Sequence, residues 1–363
     1  MGDLHGQAGL AADGDRLGDG FEQAVALDRA NATAVYWLAR FESREGNVER
    51  ALELYDRALA LDPLEFIAGS ARAELLSSLG RRDEALAEFE RLSRVYPDND
   101  TLRRNYAGIA MTWGQFDRAL TLSDQNDEDD TWSNSEVWAI LWSWGDEAGA
   151  RAALGRIGGN PVADWSRDAG LAGMDRDFEK LYRLDSAFAT GPGAGSAMAQ
   201  GALAYSSVLT GRWEQAEELI RKSHPQAFKE NPVVELDWVC DAAGMAVVRE
   251  KRGDAAGARR LAAAALAIWE RSPALRDPND LICRARLLLA ADRRDEAVDA
   301  VRAAVDAGYR DLTRDFVVWM RDDPLLKALN GDPRYEAQWQ RIEADLARQR
   351  TEYEAGKKKA AGA

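Results

Sequence analysis

Small and apolar residues return along this chain at a fixed interval of 34 positions. Gly46, Gly80 and Gly114 form one ladder, Ala51, Ala85 and Ala119 a second, and Ala39, Ala73 and Ala107 a third. Tyr55 with Phe89, and Pro63 with Pro97, keep the same interval. Each residue type suits a pair of antiparallel helices. Alanine belongs where two helices cross, because only a small side chain allows close approach. Glycine closes the first helix in the left-handed conformation that other residues adopt at a steric cost. The aromatic fills the space between one hairpin and the next, and proline stops the second helix.

This pattern resembles the tetratricopeptide repeat, with residues 32–65 and 66–99 as its clearest copies. Residues 100–130 keep Gly114 and Ala119 but lose the aromatic and the proline. Gly145 with Ala150, Gly211 with Ala216, Gly253 with Ala258, and Asp292 with Ala297 mark weaker copies. Phe21 and Ala24 stand one period before Tyr55 and Ala58, the second half of a repeat. The resemblance implies an all-α, right-handed α-solenoid of helical hairpins. Tyr335, Trp339, Ile342 and Leu346 lie on one helical stripe and predict a C-terminal capping helix.

The expected organisation is a disordered start and half repeat at 1–30, then a first array at 31–164. An irregular joint at 165–196, where the period breaks around Gly191–Gly195, separates it from a second array at 197–310. Capping helices at 311–352 and a disordered tail at 353–363 complete it. The stretch from Asp295 to Ile342 also resembles the end of tetratricopeptide regions in bacterial winged-helix regulators and adenylate cyclases.

Charge and composition narrow the function. Lys and Arg number 47 against 62 Asp and Glu, a formal net charge of −15. This argues against general binding to nucleic acid or anionic membranes, which needs a basic face. No apolar run reaches membrane-spanning length. With two cysteines and two histidines, no disulfide scaffold, thiolate cluster or His-rich metal site is expected. Cys240 and Cys283 read as buried free thiols. His224 has no evident nucleophile nearby. The acidic run Asp124, Asp127, Glu128, Asp129, Asp130 lacks the central glycine and distal glutamate of a calcium loop and reads as solvated. No cofactor or metal is implied.

Two candidate surfaces remain. In proteins that this pattern resembles, the first helix of each repeat lines the concave side. Those positions here are Thr33, Tyr36, Arg40, Ser43 and Arg44, then Ile67, Ser70 and Glu74, then Thr101 and Arg104. Arg40, Arg44 and Arg104 predict an anion-receptive patch for an acidic peptide or chain terminus. The clamp that some such co-chaperones use for chaperone tails is not matched at Tyr36, Arg40, Ala71, Thr101 or Asn105. Trp138 and Trp142, four residues apart, read either as an enlarged core or as the aromatic wall of a pocket.

The reading that follows is a non-catalytic scaffold that binds a protein or peptide partner in its groove, with Tyr36, Arg40, Arg44, Glu74, Arg104, Trp138 and Trp142 as candidate contacts. The alternatives are a sensory segment of a bacterial signalling protein and, third, a hydrolase. The half repeat at the start favours upstream sequence. As it stands the chain is expected in the cytoplasm, or in the periplasm if a membrane segment precedes it.

Overall fold

The computed structural model describes residues 14–361 except 64, 127–129, 311–312, 315–317, 320 and 322. Expectations for the first thirteen residues, for 127–129 of the acidic run and for part of 311–322 lie outside the described residues. Among those described, a half hairpin, α1 (Gly14–Leu27), precedes eight helical hairpins. The first four are α2 (Ala32–Arg44) with α3 (Val48–Leu61), α4 (Phe66–Ser78) with α5 (Arg82–Val95), α6 (Asp100–Thr112) with α7 (Phe116–Ser123), and α8 (Thr131–Ser143) with α9 (Glu147–Gly155). The others are α10 (Pro161–Met174) with α11 (Phe178–Thr190), α12 (Ala197–Leu209) with α13 (Trp213–Ser223), α14 (Ala242–Lys251) with α15 (Ala255–Arg271), and α16 (Pro278–Ala290) with α17 (Arg294–Ala307). A two-residue antiparallel pair, β1 (Thr313–Arg314) and β2 (Val318–Trp319), precedes α18 (Pro333–Ala361).

One turn recurs in all eight hairpins. The residue in the left-handed region is Gly46, Gly80, Gly114, Gly145, Arg176, Gly211, Gly253 or Asp292. The amide that follows it returns to the carbonyl five residues back, as in Asn47 to Glu42 (2.9 Å) and Arg293 to Leu288 (2.8 Å). This closes the first helix of each pair and satisfies its orphan carbonyls. The alanine ladders lie at the crossings, and Ala39, Ala73, Ala107, Ala51, Ala85 and Ala119 are all fully buried. Tyr55 and Phe89 are buried between hairpins as the ladder requires.

The chain divides into two compact units. Unit one comprises residues through Ile109 together with Ser272–Asp277. Its core is built on Val35, Leu38, Leu54, Tyr55 and Ala68. The added segment docks on the turn of the second hairpin, where the Arg276 amide donates to the Ser78 carbonyl at 2.9 Å. Unit two comprises Ala110–Arg271 and the residues from Pro278 onward. Each unit is an all-α stack of helical hairpins.

Three expectations are corrected. The irregular joint at 165–196 is instead the fifth hairpin, α10 and α11. Its signature is erased residue by residue: Arg176 (φ 55) replaces the turn glycine, Leu181 the crossing alanine, and Asp185 the large aromatic. The Trp165 ring stacked on Phe188, centroids 4.5 Å apart, supplies aromatic packing in this hairpin. The glycines at 191–195 form a tight turn, with the Gly193 amide donated to the Phe188 carbonyl (2.9 Å). The tail at 353–363 is helical through Ala361. Finally, Cys240 and Cys283 are joined as a disulfide, with Cα atoms 5.3 Å apart across 43 residues of sequence.

Asp185 is 2% exposed. It accepts from Trp165 Nε1 at 2.9 Å and is also hydrogen-bonded by the Ser206 side chain. Burial raises its pKa above the ordinary 3.8, and these two hydrogen bonds only partly oppose the rise. A carboxyl whose folded pKa lies above its unfolded value stabilises the fold most when protonated, and that contribution is lost as pH rises through the folded value. Asp185→Asn keeps an acceptor for Trp165 and supplies an amide donor for Ser206. The variant is therefore expected to be more stable than the native chain at neutral pH, with the difference vanishing below about pH 3.8. Urea denaturation across that range checks it, and a variant less stable at pH 7 would refute the assignment.

Candidate binding face

In unit one, α2 and α4 present the groove positions. Asn31 caps α2 by accepting from the Ala34 amide at 2.9 Å, which fixes where the helix starts and hence which side chains share a face. Tyr36 and Arg40 follow one turn apart, and Arg40 Nη1 donates to the Tyr36 hydroxyl at 3.2 Å. The guanidinium carbon stands 5.8 Å from the Trp37 ring centroid, a cation–π arrangement. Trp37 is 45% exposed, stacked against Phe21 of α1 at 6.3 Å. Tyr55 of α3 closes the floor, its ring 6.3 Å from that of Tyr36.

The electrostatics tie α4 to this cluster. Glu74 reaches solvent, yet desolvation by surrounding protein raises its pKa, against the lowering effect of Arg40. Burial would lower the Arg40 pKa, but the Tyr36 hydrogen bond and the charges of Tyr36, Tyr55 and Glu74 raise it overall. Burial, with Tyr36 adding to it and Arg40 opposing it, pushes the Tyr55 phenol up.

The structure therefore brings together Tyr36, Arg40 and Glu74 of the expected contacts. It also adds Trp37 and Tyr55, which sequence reasoning did not place there. Tyr36 and Ser70 are buried, so both form floor and not rim. Arg44, one turn beyond Arg40, is exposed, as is Ile67 at 45%. Arg104 is half-buried and donates to Thr101 of its own helix at 3.2 Å.

Trp138 and Trp142, in unit two, are not a pocket wall. Both are buried and stack on each other at 5.6 Å. They belong to a core with Leu154, Ile157 and Ala163, and Trp138 Nε1 points to the Met174 sulfur at 3.2 Å. Gly170 of α10 makes room, since a Cβ there would stand 3.0 Å from Leu154 and 3.5 Å from Trp138. The enlarged-core alternative is the correct one.

His224 does have a serine beside it, contrary to expectation: its Nδ1 is 2.9 Å from the Ser223 hydroxyl. That hydroxyl also lies 3.3 and 3.2 Å from the Leu219 and Ile220 carbonyls. With its hydrogen given to a helix carbonyl, the serine accepts from the imidazole, opposite to the sense that nucleophile activation needs. Among the described residues, no group of three or more His, Cys, Asp or Glu is placed to hold a metal ion. No helix among them is long and apolar enough to cross a membrane.

A family model described as tetratricopeptide repeat matches residues 21–65 and 70–125. Over those residues the chain carries tetratricopeptide repeats. These matches cover the second half of α1, the first hairpin, nearly all of the second and the whole of the third, the part of the array that holds the face just described. Anaphase-promoting complex subunit 3 of Schizosaccharomyces pombe is 31% identical over 78 residues, which is 22% of this chain and 12% of that protein. The chain thus spans only a small part of that relative. Among solved structures, the human IFIT1 dimer with m7Gppp-AAAA covers 81% of this chain and 68% of its own, at 16% identity and a TM-score of 0.42. A tetratricopeptide repeat protein from Parabacteroides merdae covers 82% and 97%, at 15% identity and a TM-score of 0.29. At such identities and scores these two likenesses carry no argument about ligand or partner. The tetratricopeptide array is a repeat scaffold.

Proposed function

We infer that the chain is a non-catalytic adaptor whose α2–α4 face docks a segment of a protein partner, with an acidic group set against Arg40 and Arg44. The observation that carries this reading is the state of Arg40. Its described hydrogen bond goes to the Tyr36 hydroxyl, its face is shared with a half-exposed tryptophan, and its neighbour Glu74 acts on it only through space. A guanidinium so held is oriented in advance, so little rotamer freedom is lost when a carboxylate pairs with it. Trp37 and Ile67 offer apolar area beside the charge, the combination found at binding hot spots. Glu74 favours a segment that also brings an amide or cationic donor, because an isolated anion would meet its repulsion.

Immobilised short peptides combining acidic and aromatic residues, probed with the full chain, test the reading. Arg40→Glu with Arg44→Glu should weaken the selected binders by about tenfold or more, since hydrogen bonds to charged groups are worth roughly 1.5–3 kcal/mol. Trp37→Ala should weaken them separately and with little salt dependence. Full affinity in the double-arginine variant would refute the face. Arg104→Glu is expected to have the smaller effect, because its guanidinium is engaged along α6.

A further inference from the structure

The last helix meets unit two at two places far apart in sequence. Its first half lays Tyr335, Trp339, Ile342 and Leu346 into the end of the array, all buried. Its second half reaches back to α7 and the α8–α9 turn. Gln349, itself buried, is the centre of that second contact. Its carbonyl accepts the Phe116 amide at 2.8 Å, and its amide donates to the Gly114 carbonyl at 2.7 Å. Further along, the Tyr353 hydroxyl donates to Asp124 at 2.6 Å, and Lys357 stands 3.0 Å from the same carboxylate. Arg350 donates to the Trp144 carbonyl at 3.1 Å. Behind Gln349, Arg310 pairs with Asp345 at 2.6 Å.

This seam differs in kind from the joints between hairpins. Those are alanine, leucine and aromatic packing that exclude water, while the seam is mostly amide, carboxylate, phenol and ammonium with solvent at its edges. The Tyr353 ring beside Trp144, 5.5 Å between centroids, is the one aromatic contact described in it. Half-exposed polar pairs contribute little net free energy, because water takes over their hydrogen bonds when they part. Apolar joints have no such substitute. The outer part of the seam, at Tyr353 and Lys357, is therefore expected to yield first under thermal opening. Tyr353 registers the closed state: burial and the Asp124 hydrogen bond push its phenol up to about 12.

We propose that residues 349–357 of α18 are a strap that fastens the end of unit two onto α7 and the α8–α9 turn and releases reversibly, uncovering the side of α7 it covers while the hairpins stay folded. Release requires no rearrangement within a repeat, only exchange of the Gln349, Arg350, Tyr353 and Lys357 contacts for water. It also releases the Gly114 carbonyl and the Phe116 amide that Gln349 holds, while the approach of Gly114 to Gly308 stays in place.

Hydrogen exchange of the full chain, read by mass spectrometry, tests this. Gln349→Ala should speed exchange about tenfold or more at 114–124 and 349–357, the factor expected from losing buried hydrogen bonds, with α12 and α13 unchanged. Tyr353→Phe, which removes one exposed hydroxyl and leaves packing intact, should raise exchange less but in the same two segments. Raising ionic strength from about 0.05 M to about 1 M should act in the same direction through the Lys357–Asp124 pair. Unchanged exchange in Gln349→Ala would overturn the proposal. So would a uniform rise across unit two, which would make the seam part of one cooperative core.

Discussion

Replacing Gly114 with alanine is expected to destabilise unit two by about 3 kcal/mol or more, while the same change at Gly46 costs unit one only about 1 kcal/mol. Both glycines close a repeat turn with positive φ, 70° and 82°, and share the left-handed penalty of roughly 1–2 kcal/mol for a side-chain-bearing residue. Their surroundings differ. A Cβ at Gly46 would meet nothing within 4 Å. A Cβ at Gly114 would overlap the Gly308 carbonyl oxygen and come within 2.7 Å of Arg310 Cγ. Gly308 is itself at φ 119 and equally confined by the Trp113 carbonyl, so two backbones touch where neither can carry a side chain. Forcing a methyl into such packing adds roughly 1–3 kcal/mol. Urea denaturation of the two variants, followed by probes specific to each unit, measures the contrast. Equal losses at the two sites would mean that the Gly114–Gly308 approach is not maintained in solution.

Removing the Cys240–Cys283 bridge is expected to lower the stability of unit two by about 2–4 kcal/mol. The bridge closes a loop of 43 residues, and chain-entropy arithmetic for that length gives about 4 kcal/mol as the upper end. The bridge joins the turn before α14 to α16, two helices that pack on each other. It also anchors the irregular segment between α13 and α14. Arg249, which donates to the Ala227 carbonyl at 2.6 Å, and Arg260, which donates to the Glu230 carbonyl at 2.8 Å, hold the segment as well. Cys240→Ser with Cys283→Ser should lower the unit-two transition, and a reductant should lower the native chain to the same point. Two free thiols in the unreduced protein, or a transition indifferent to reductant, would dispose of the bridge.

The hairpins were legible wherever the turn glycine, crossing alanine and packing aromatic stand together, as at Gly46, Ala51 and Tyr55. They became illegible at the fifth hairpin because its packing is solved differently. Arg176 accepts a strained backbone, and Asp185 gives up the aromatic site while Trp165 and Phe188 pack nearby. A periodic search sees residue types and not the volumes they fill. The candidate face was half legible. Position within the repeat pointed to Tyr36, Arg40 and Glu74, but Trp37 escaped because its role depends on stacking against Phe21 of the preceding helix. The tryptophans at 138 and 142 could not be assigned from sequence, since a helix covered on most sides shows no polar face to orient it.

The sequence by itself determined the repeating hairpin wherever the turn glycine and crossing alanine survive: where the first helix ends, which small residues lie at crossings, and which helix terminates the array. Those are local properties, set by backbone conformation and side-chain size within one period. The tertiary structure alone decided which turn glycine faces solvent and which faces another backbone, that two cysteines 43 residues apart are partners, and that α18 returns to α7. Such pairings depend on how small rotations between successive hairpins accumulate. No single period encodes that sum, so contacts between distant repeats appear only once the helices are stacked.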